Sequence, residues 1–219
     1  TIRFMQVASP ASPCLALSGR LLFLVTDPAL MCSQLQGNDL LWQEPGSPAF
    51  TLRDDVSTDE ITPVAILSHY DSKLARFPYT GLKLGDQRPV GVNAVASGGF
   101  CDIVAGKRYG KGSSREHSPA AEKLAGIQLV IAESFERIYR QNADNIGLFT
   151  STDMGLVPRL LRGEPVTVEA LLHGRDDLAA AILRAGGLLG FGQTHLQGTR
   201  AAEPAQDAGP QTPLENILT

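Results

Sequence analysis

The chain has 219 residues, of which 43% are hydrophobic, and carries a formal net charge of −4. This length allows one sizeable domain or two small ones, and the hydrophobic fraction is sufficient for a core. The acidic balance argues against general nucleic-acid binding, and the longest apolar runs, residues 21–25 and 129–132, are far too short to cross a bilayer.

The three cysteines, Cys14, Cys32 and Cys101, lie far apart and form no C-x-x-C pair. Such spacing fits reduced thiols in the cytosol, so we predict a cytoplasmic protein. Three scattered thiols cannot by themselves supply a metal cage, and the sequence has no recognisable secretory signal.

Local patterns predict alternating strands and helices after a poorly ordered lead-in, residues 1–18, which is rich in Ser, Pro and Ala. Residues 28–35 have the marks of a short helix, started by Asp27 and ended by Gly37. The alternation predicts an α/β domain. The other predicted strands are 19–25, 50–53, 89–96, 101–105 and 166–168; the other predicted helices are 118–126, 151–161 and 176–185, with a strand passing into a helix over 128–148.

The stretch 106–119, G-K-R-Y-G-K-G-S-S-R-E-H-S-P, organises the chain. It is a glycine-rich, basic, hydroxyl-bearing loop that joins the strand 101–105 to a helix with Ser118 as its cap and Pro119 at its first position. At such a junction the backbone N–H groups and the helix dipole favour an anion. We call residues 106–116 the central loop.

Three interpretations of the central loop are open from its residues. A Walker phosphate loop needs G-x-x-x-x-G-K-[ST], and the spacing of Gly106, Gly110 and Lys111 does not meet it. A basic turn before a helix would use Ser113 and Glu116 as a local capping box. Third, Y-G-x-G-S-S-R-E-H resembles the signature of the swivelling domain of the aconitase superfamily, which includes isopropylmalate dehydratase small subunits.

Two further motifs, in the expected order, resemble the same family. S-T-D-E-I-T-P at 57–63 is similar to its [DST]-T-D-x-I motif, whose aspartate faces the active site and whose hydroxyl three residues later can reach the substrate; these are Asp59 and Thr62 here. The block V-I-A-x-S-F-x-x-I-x-x-x-N-x-x-N-x-G over 130–147 is the third motif. The resemblance covers roughly residues 50–170.

The resemblance implies a swivelling β/β/α architecture over residues 19–196, with an extra strand and helix at its start. Residues 197–219 are rich in Ala, Pro, Gln and Gly and are predicted to form a linker. Within them, 212–218 is similar to the opening helix of an aconitase-type catalytic body. Whether that body is fused or a separate subunit stays open.

The resemblance also implies the chemistry of an iron–sulfur hydro-lyase. Such an enzyme isomerises a hydroxy di- or tricarboxylate, isopropylmalate-, homocitrate- or citrate-like, by dehydration and rehydration. By position, Ser113 is the catalytic base, Asp59 orients an active-site group, and Ser114, Arg115 and Thr62 bind substrate. The [4Fe–4S] cluster is expected on a large cluster-binding subunit or domain, since this chain has no ligands for it.

Two points stay open at this stage. Aconitases have an arginine soon after the first motif that binds a substrate carboxylate, and residues 63–88 offer no clean counterpart; His69, Lys73 and Arg76 are the candidates. The alternative function is a non-catalytic module that kept the fold and binds a metabolite, a partner or RNA.

Overall fold

The computed structural model describes the backbone of residues 14–15, 19–42 and 50–201 and the side chains of 19–42 and 50–196. Within these ranges the strands are β1 Cys14–Leu15, β2 Arg20–Phe23, β3 Phe100–Ala105, β4 Leu129–Ala132, β5 Phe149–Ser151 and β6 Val166–Thr167. The helices are α1 Pro28–Leu35, α2 Thr58–Ile61, α3 Ala94–Ser97, α4 His117–Leu124, α5 Arg137–Ile146, α6 Leu156–Leu161, α7 Val168–Leu172, α8 Asp177–Arg184 and α9 Leu188–Ala201, with 3₁₀ helices at Val64–Ile66 and Ser72–Arg76.

A four-stranded parallel sheet in the order β2-β3-β4-β5 forms the centre of the fold. Every residue of β3 and β4 is buried. Parallel strands covered on both faces are typically continuous apolar runs, which is why the buried strands 101–105 and 129–132 could be predicted. The short strands β1 and β6 pair antiparallel outside this sheet.

Helix capping explains several of the correct boundaries. Asp27 caps α1 by accepting the backbone N–H groups of Ala29 and Leu30, and α1 ends at Leu35 as predicted. Asp176 caps α8 through the N–H of Ala179. A carboxylate at this position satisfies N–H groups that have no partner within the helix.

Three predicted elements differ from the structure in their type or their bounds. Residues 89–96 form a turn and α3 instead of a strand, because Asn93 adopts a left-handed φ of 71° and starts the helix. Residues 50–53 make a single antiparallel bridge, Leu52 to Val25. The predicted helix 151–161 begins only at Leu156.

The two ends of the chain also differ from the prediction where they are described. Cys14–Leu15, within the predicted lead-in, pairs with β6, and residues 1–13 and 16–18 lie outside the described residues. Helix α9 continues to Ala201, past the predicted start of the linker at 197. Residues 202–219, including the predicted opening helix, also lie outside the described residues.

The carboxyl edge of the sheet is where the three sequence motifs meet. The central loop follows β3, and residues 133–136 follow β4 at the same edge. Arg53 joins this edge, since its N–H donates to Leu24 O at 2.7 Å and its carbonyl accepts from Gly106 N at 3.0 Å. The carboxyl edge of a parallel sheet is the common location of ligand sites in α/β folds. Within the described helices, none is long and apolar enough to span a membrane.

Candidate active site

Backbone hydrogen bonds fix the first half of the central loop to the first motif. The carbonyl of Val56 accepts the N–H groups of Gly110 at 2.8 Å and Lys111 at 3.1 Å, and Thr58 N donates to Lys111 O at 2.8 Å. Asp54 Oδ1 also accepts from Lys107 N at 2.7 Å. Residues 54–58, which lead into the first motif and include its start, therefore hold the loop along one side.

The third motif holds the loop on its other side. Tyr109 N donates to Ser134 O at 2.9 Å, and Glu136 N donates to Tyr109 O at 2.8 Å. The Ser134 hydroxyl accepts from Arg108 N at 2.9 Å. The three motifs thus form one backbone assembly.

Two glycines of the loop are required by close packing. A Cβ at Gly106 would lie 2.1 Å from Asp54 Oδ1, and one at Gly110 would lie 2.3 Å from the Tyr139 side chain. Gly110 also has φ +82°, a conformation that side chains other than glycine's strongly disfavour. The glycine spacing of the motif therefore reflects how tightly the loop is held.

A capping box presents Asp59 at the surface. Ser57 accepts from Glu60 N at 3.1 Å, and the Glu60 carboxylate accepts from Ser57 N at 2.8 Å, so α2 begins at Thr58. Asp59, in the first turn, forms an ion pair with Arg115 Nη1. The Asp59 side chain is 58% exposed and that of Arg115 is 15% exposed, so the pair lies at the edge of the site.

Ser113 is exposed at the tip of the loop and lines a cavity of about 390 Å³. Its carbonyl accepts a hydrogen bond from the Thr58 hydroxyl at 3.2 Å, which ties the tip to α2. The next residue, Ser114, is also exposed. The structure therefore brings Ser113, Ser114, Arg115 and Asp59 to one surface.

The alternative capping box between Ser113 and Glu116 is not formed. Helix α4 has Glu116 at its N-cap with no side-chain cap bond. Ser118, predicted as the cap, lies inside the first turn, and its hydroxyl donates to Thr58 O at 3.1 Å. The Ser118 hydroxyl therefore bonds to a carbonyl sixty residues away in sequence, and does not cap its own helix.

Thr62 is placed differently from the other predicted site residues. Its side chain is completely buried, and its hydroxyl has no hydrogen-bond partner among the described residues. A substrate on the surface of Asp59 and Ser113 could not touch it in this arrangement. The structure does not support the substrate contact that the motif implied for Thr62.

Three residues of this region were missed from the sequence. Arg137 and Gln141, on successive turns of α5, line the cavity together with Ser113. Tyr70, from the irregular segment 63–88, donates a hydrogen bond to Glu116 at 3.4 Å, and its ring packs on His117 at 4.8 Å. The sequence signal for Arg137 is its place within the third motif, at a position that the motif leaves unspecified.

The candidates of segment 63–88 lie on its surface. Lys73 and Arg76 are exposed, and Lys73 is 3.9 Å from the Asp71 carboxylate; His69 is half-buried. Tyr70 is thus the residue of this segment with a hydrogen bond to the end of the central loop.

Within the described residues, no cluster of three or more His, Cys, Asp or Glu side chains is arranged to hold a metal ion. Cys101 is buried in β3, and burial next to Asp102 raises the pKa of its thiol to about 12. Cys32 lies on α1, a different element. These two thiols therefore do not fit an iron–sulfur cluster.

Comparison with known proteins agrees with this geometry. Residues 92–152 match the family model of the aconitase C-terminal domain. The crystal structure of a 3-isopropylmalate dehydratase from Methanocaldococcus jannaschii superposes with a TM-score of 0.50 at 30% identity, covering 68% of this chain and 92% of that one. Fold and motifs together define a swivelling α/β domain of the aconitase type, which confirms the fold class that the sequence predicted.

Relatives of known name show which members of this superfamily the chain is similar to. The 3-isopropylmalate dehydratase small subunit 2 of Archaeoglobus fulgidus is 35% identical over 163 residues, which are 67% of this chain and 93% of that protein. The isopropylmalate/citramalate isomerase small subunit of M. jannaschii is 35% identical over 153 residues, 63% of this chain and 87% of that protein. The chain belongs to the family of 3-isopropylmalate dehydratase small subunits and is a hydro-lyase component.

Proposed function

We propose that this chain is the base-bearing subunit of an enzyme that isomerises a hydroxy di- or tricarboxylate of the isopropylmalate, homocitrate or citrate kind. The observation that carries the proposal is the backbone assembly of the three motifs, which presents Ser113, Ser114 and the Arg115–Asp59 pair on one open surface. A cavity open to one side suits a site completed by a second protein body.

Ser113 is the base in this proposal. Its oxygen takes the proton from the carbon next to a substrate carboxylate, the hydroxyl on the neighbouring carbon leaves, and an alkene forms between the two carbons. Water then adds back with the opposite placement of proton and hydroxyl. A neutral serine is too weak a base, so Ser113 has to act as an alkoxide, which nearby cations and N–H groups stabilise in a closed site.

Arg137 is the cation whose placement supports this role. It lines the same cavity as Ser113, and it forms no ion pair within the described ranges. Closure by a second body would exclude water and strengthen the interaction between its charge and an alkoxide. Lys111, the other nearby cation, is exposed and 3.9 Å from the Asp55 carboxylate.

Arg115 binds a substrate carboxylate in the proposal. Only its Nη1 is used by Asp59, so other guanidinium N–H groups remain for a second, two-pronged contact. Asp59 fixes the orientation of the guanidinium, and the Ser114 hydroxyl adds a donor next to it. Thr62 is left out because it is buried.

The rest of the active site comes from a partner. We propose a large subunit or domain that carries a [4Fe–4S] cluster, since the described thiols of this chain do not fit one. When bound, the cluster supplies a Lewis acid for the leaving hydroxyl. The residues of this chain bind the carboxylate, hold the proton at Ser113 and exclude water.

We also propose that residues 19–196 form the swivelling domain, that the chain after α9 is a linker, and that the enzyme is cytoplasmic. The names of the relatives favour this enzymatic function over the non-catalytic binding module. The two named relatives differ in the acids they are named for, so the particular acid here has to come from a substrate screen.

Reconstitution tests the proposed function. The full chain is mixed with a cluster-loaded large subunit, and alkene absorbance is followed with a panel of hydroxy di- and tricarboxylates. We expect turnover of at least one acid by the mixture and none by either part alone. The isolated chain, treated anaerobically with iron and sulfide, should bind no cluster; a stable, stoichiometric [4Fe–4S] spectrum would contradict the two-part site.

A further inference from the structure

Directly beneath the central loop, a glutamate and three tyrosines form a buried cluster that the proposed reaction does not use. Glu122, on α4, lies within hydrogen-bond distance of the hydroxyls of Tyr79, Tyr109 and Tyr139, and the hydroxyl oxygens of Tyr79 and Tyr109 are 2.6 Å apart. Each of the four side chains is at most 2% exposed. We call these four residues the tyrosine cluster.

Counting protons indicates the charge state of the cluster. It has four oxygen-to-oxygen contacts, three to Glu122 and one between Tyr79 and Tyr109. Three tyrosine hydroxyls supply only three protons, so with an ionised Glu122 one contact would bring two lone pairs together in a buried site. A protonated Glu122 supplies the fourth proton: it donates to Tyr79, Tyr79 to Tyr109, and Tyr109 and Tyr139 to the carboxyl.

None of the described cations forms an ion pair with Glu122. Within the described part of the chain, no ion pair or further hydrogen bond links it to the charged groups around α4. Burial raises the pKa of Glu122 to about 7, while the three tyrosine hydrogen bonds act in the opposite direction. The charged and titratable groups of α4, its flanks and the elements packed on it are Asp59, Glu60, Tyr70, Asp71, Lys73, Arg76, Lys111, Arg115, Glu116, His117, Lys123, Arg137, Arg140 and Asp144.

The cluster joins the elements that surround the proposed site. Tyr109 belongs to the central loop, Tyr139 to α5, and Tyr79 to the end of the segment 63–88. Tyr79 is held at φ 62°, the left-handed region that a bulky residue enters only where its surroundings enforce it. Its N–H donates at 2.8 Å to the carbonyl of Ile61, the last residue of α2.

Tyr109 links the cluster to the loop tip. Its backbone is bonded to Ser134 and Glu136, and its hydroxyl to Glu122, so the residue is fixed at both ends. The next residue, Gly110, packs against Tyr139 and donates to Val56 O. A change at Glu122 therefore acts on the segment that leads to Ser113.

We propose that Glu122 in its protonated form is a positioning residue, which holds the central loop in its working arrangement through Tyr109. Ionisation of Glu122 removes one of the four protons, breaks one contact and loosens the segment from Tyr109 to Lys111. The catalytic consequence rests on the proposed role of Ser113, whereas the proton and the loosening can be measured without turnover.

The protonation state of Glu122 is measured first, by NMR on the full chain with glutamate carboxyl carbons labelled with carbon-13. Aspartates, including Asp102, are then silent. We expect one resonance that titrates near pH 7 and is absent from the Glu122→Gln variant. A Glu122 resonance that titrates in the ordinary acidic range of glutamate would overturn the proposal.

The positioning is measured by amide hydrogen exchange at Gly110 and Lys111, whose N–H groups both donate to Val56 O. Going from about pH 5.5 to about pH 8, we expect their protection factors to fall about tenfold in the wild type, the factor that corresponds to one pKa unit. In Glu122→Gln, which stays neutral and keeps two donors, protection should stay within about twofold over the same range. Equal pH dependence in both proteins would overturn the positioning role.

The matched control is Asp102→Asn, which removes another buried acid with a raised pKa but lies in β3, which carries no member of the cluster. We expect this variant to lose protection at Gly110 and Lys111 as the wild type does. If the protection factors of Asp102→Asn did not change with pH, ionisation of Asp102 would be the cause of the loosening, and the role of Glu122 would be overturned.

In the assembled enzyme, the alkaline limb of the kcat profile supplies the catalytic readout. The wild type should lose activity as pH rises through about 7, the pKa of Glu122, and Glu122→Gln should keep it with an unchanged KM. Identical alkaline limbs would contradict the link to catalysis. Complete inactivity of the wild-type mixture would instead contradict the proposed function, and the exchange measurement would still decide the positioning.

Discussion

The acidic residues at the surface of the site and those beneath it are held in opposite ways. At the surface, Asp59 pairs with Arg115, and Asp55 pairs with Arg108 at 2.5 Å. In the interior, Glu122 and Asp102 pair with no cation among the described residues. Glu122 contacts tyrosine hydroxyls, and Asp102 accepts from the Cys101 thiol at 3.3 Å, with no described partner for its Oδ1. The two surface carboxylates are therefore paired with cations, whereas Glu122 and Asp102 are stabilised as neutral acids. A third buried acid, Asp144, differs from them because it pairs with Arg175 at 2.9 Å.

The contrast separates two tasks. Exposed ion pairs contribute little stability and can exchange partners, so Arg115 can turn from Asp59 toward a substrate carboxylate. Buried neutral acids cannot exchange with solvent, so they fix the positions of the elements that carry the site. Substitutions at the surface should change the chemistry, and substitutions in the interior should change stability and its pH dependence.

Ser113→Ala should give the largest effect at the surface. Removing a general base typically lowers kcat by 10²–10⁴-fold, roughly 3–5 kcal/mol of barrier. Because Ser113 is exposed and its hydroxyl caps no helix, the free energy of unfolding should hardly change. Steady-state rates of the assembled enzyme and urea unfolding of the chain measure the two quantities.

Ser114→Ala is the matched control, since it removes a neighbouring exposed hydroxyl. It should lower kcat far less than Ser113→Ala does. Should the Ser113→Ala enzyme keep more than about a tenth of the normal rate, the assignment of the base is wrong.

Asp102→Asn should give the next largest effect, on the pH dependence of the free energy of unfolding. Burial raises the pKa of Asp102 from 3.8 to about 6, so between these values the folded chain binds more protons than the unfolded chain. The stability that Asp102 contributes is therefore fully present below about pH 4 and is lost as pH rises through about 6, by about 3 kcal/mol for a shift of this size. Asp102→Asn should lack this loss in urea unfolding measured across the range.

Glu122 titrates in a similar pH range, so the effect of Asp102 has to be measured in a variant that lacks the Glu122 carboxyl. The measurement is repeated in Glu122→Gln, where adding Asp102→Asn should remove most of the remaining decline. If stability rose with pH between about 4 and 6 in that background, the interior acid would not be held neutral.

Arg115→Lys should weaken substrate binding, because lysine keeps the charge but loses the two-pronged geometry of a guanidinium. The expected cost is about 1.5–3 kcal/mol, as for a hydrogen bond to a charged group, and it should appear mainly in KM. An unchanged KM and kcat in the assembled enzyme would show that Arg115 binds no carboxylate.

Asp59→Asn should have the smallest effect on stability, about 0–1 kcal/mol, because the pair with Arg115 is largely solvent-exposed on its acidic side. Its larger consequence should be kinetic, through a less fixed Arg115. Urea unfolding measures the change in stability. The rates of the double variant Asp59→Asn with Arg115→Lys test the kinetic consequence. Fully additive kinetic effects of the two substitutions would contradict the coupling.

Much of the fold and the site could be predicted because the signals are local. The buried strand 101–105 is apolar throughout, Asp27 and Asp176 cap the helices that follow them, and the loop motif has fixed spacing. Each of these depends on residues close together in sequence, which is the range at which single-sequence patterns are informative.

The remaining features depend on partners distant in sequence. Ser118 looked like a cap, but its hydroxyl bonds to Thr58 O, which no local pattern shows. The burial of Thr62 reflects packing around α2. The tyrosine cluster joins residues 79, 109, 122 and 139, which lie on separate elements and come together only in the folded chain.

Hydrogen exchange at the substrate carbon tests the central claim most directly, because it follows proton removal and not the whole turnover. The assembled enzyme is incubated with its acid in deuterated water, and deuterium uptake next to the carboxylate is measured by NMR. We predict that Ser113→Ala lowers the exchange rate by about 10²-fold or more, while Ser114→Ala keeps it within about tenfold of the wild type. Exchange at the wild-type rate in Ser113→Ala would contradict the claim that this chain supplies the base.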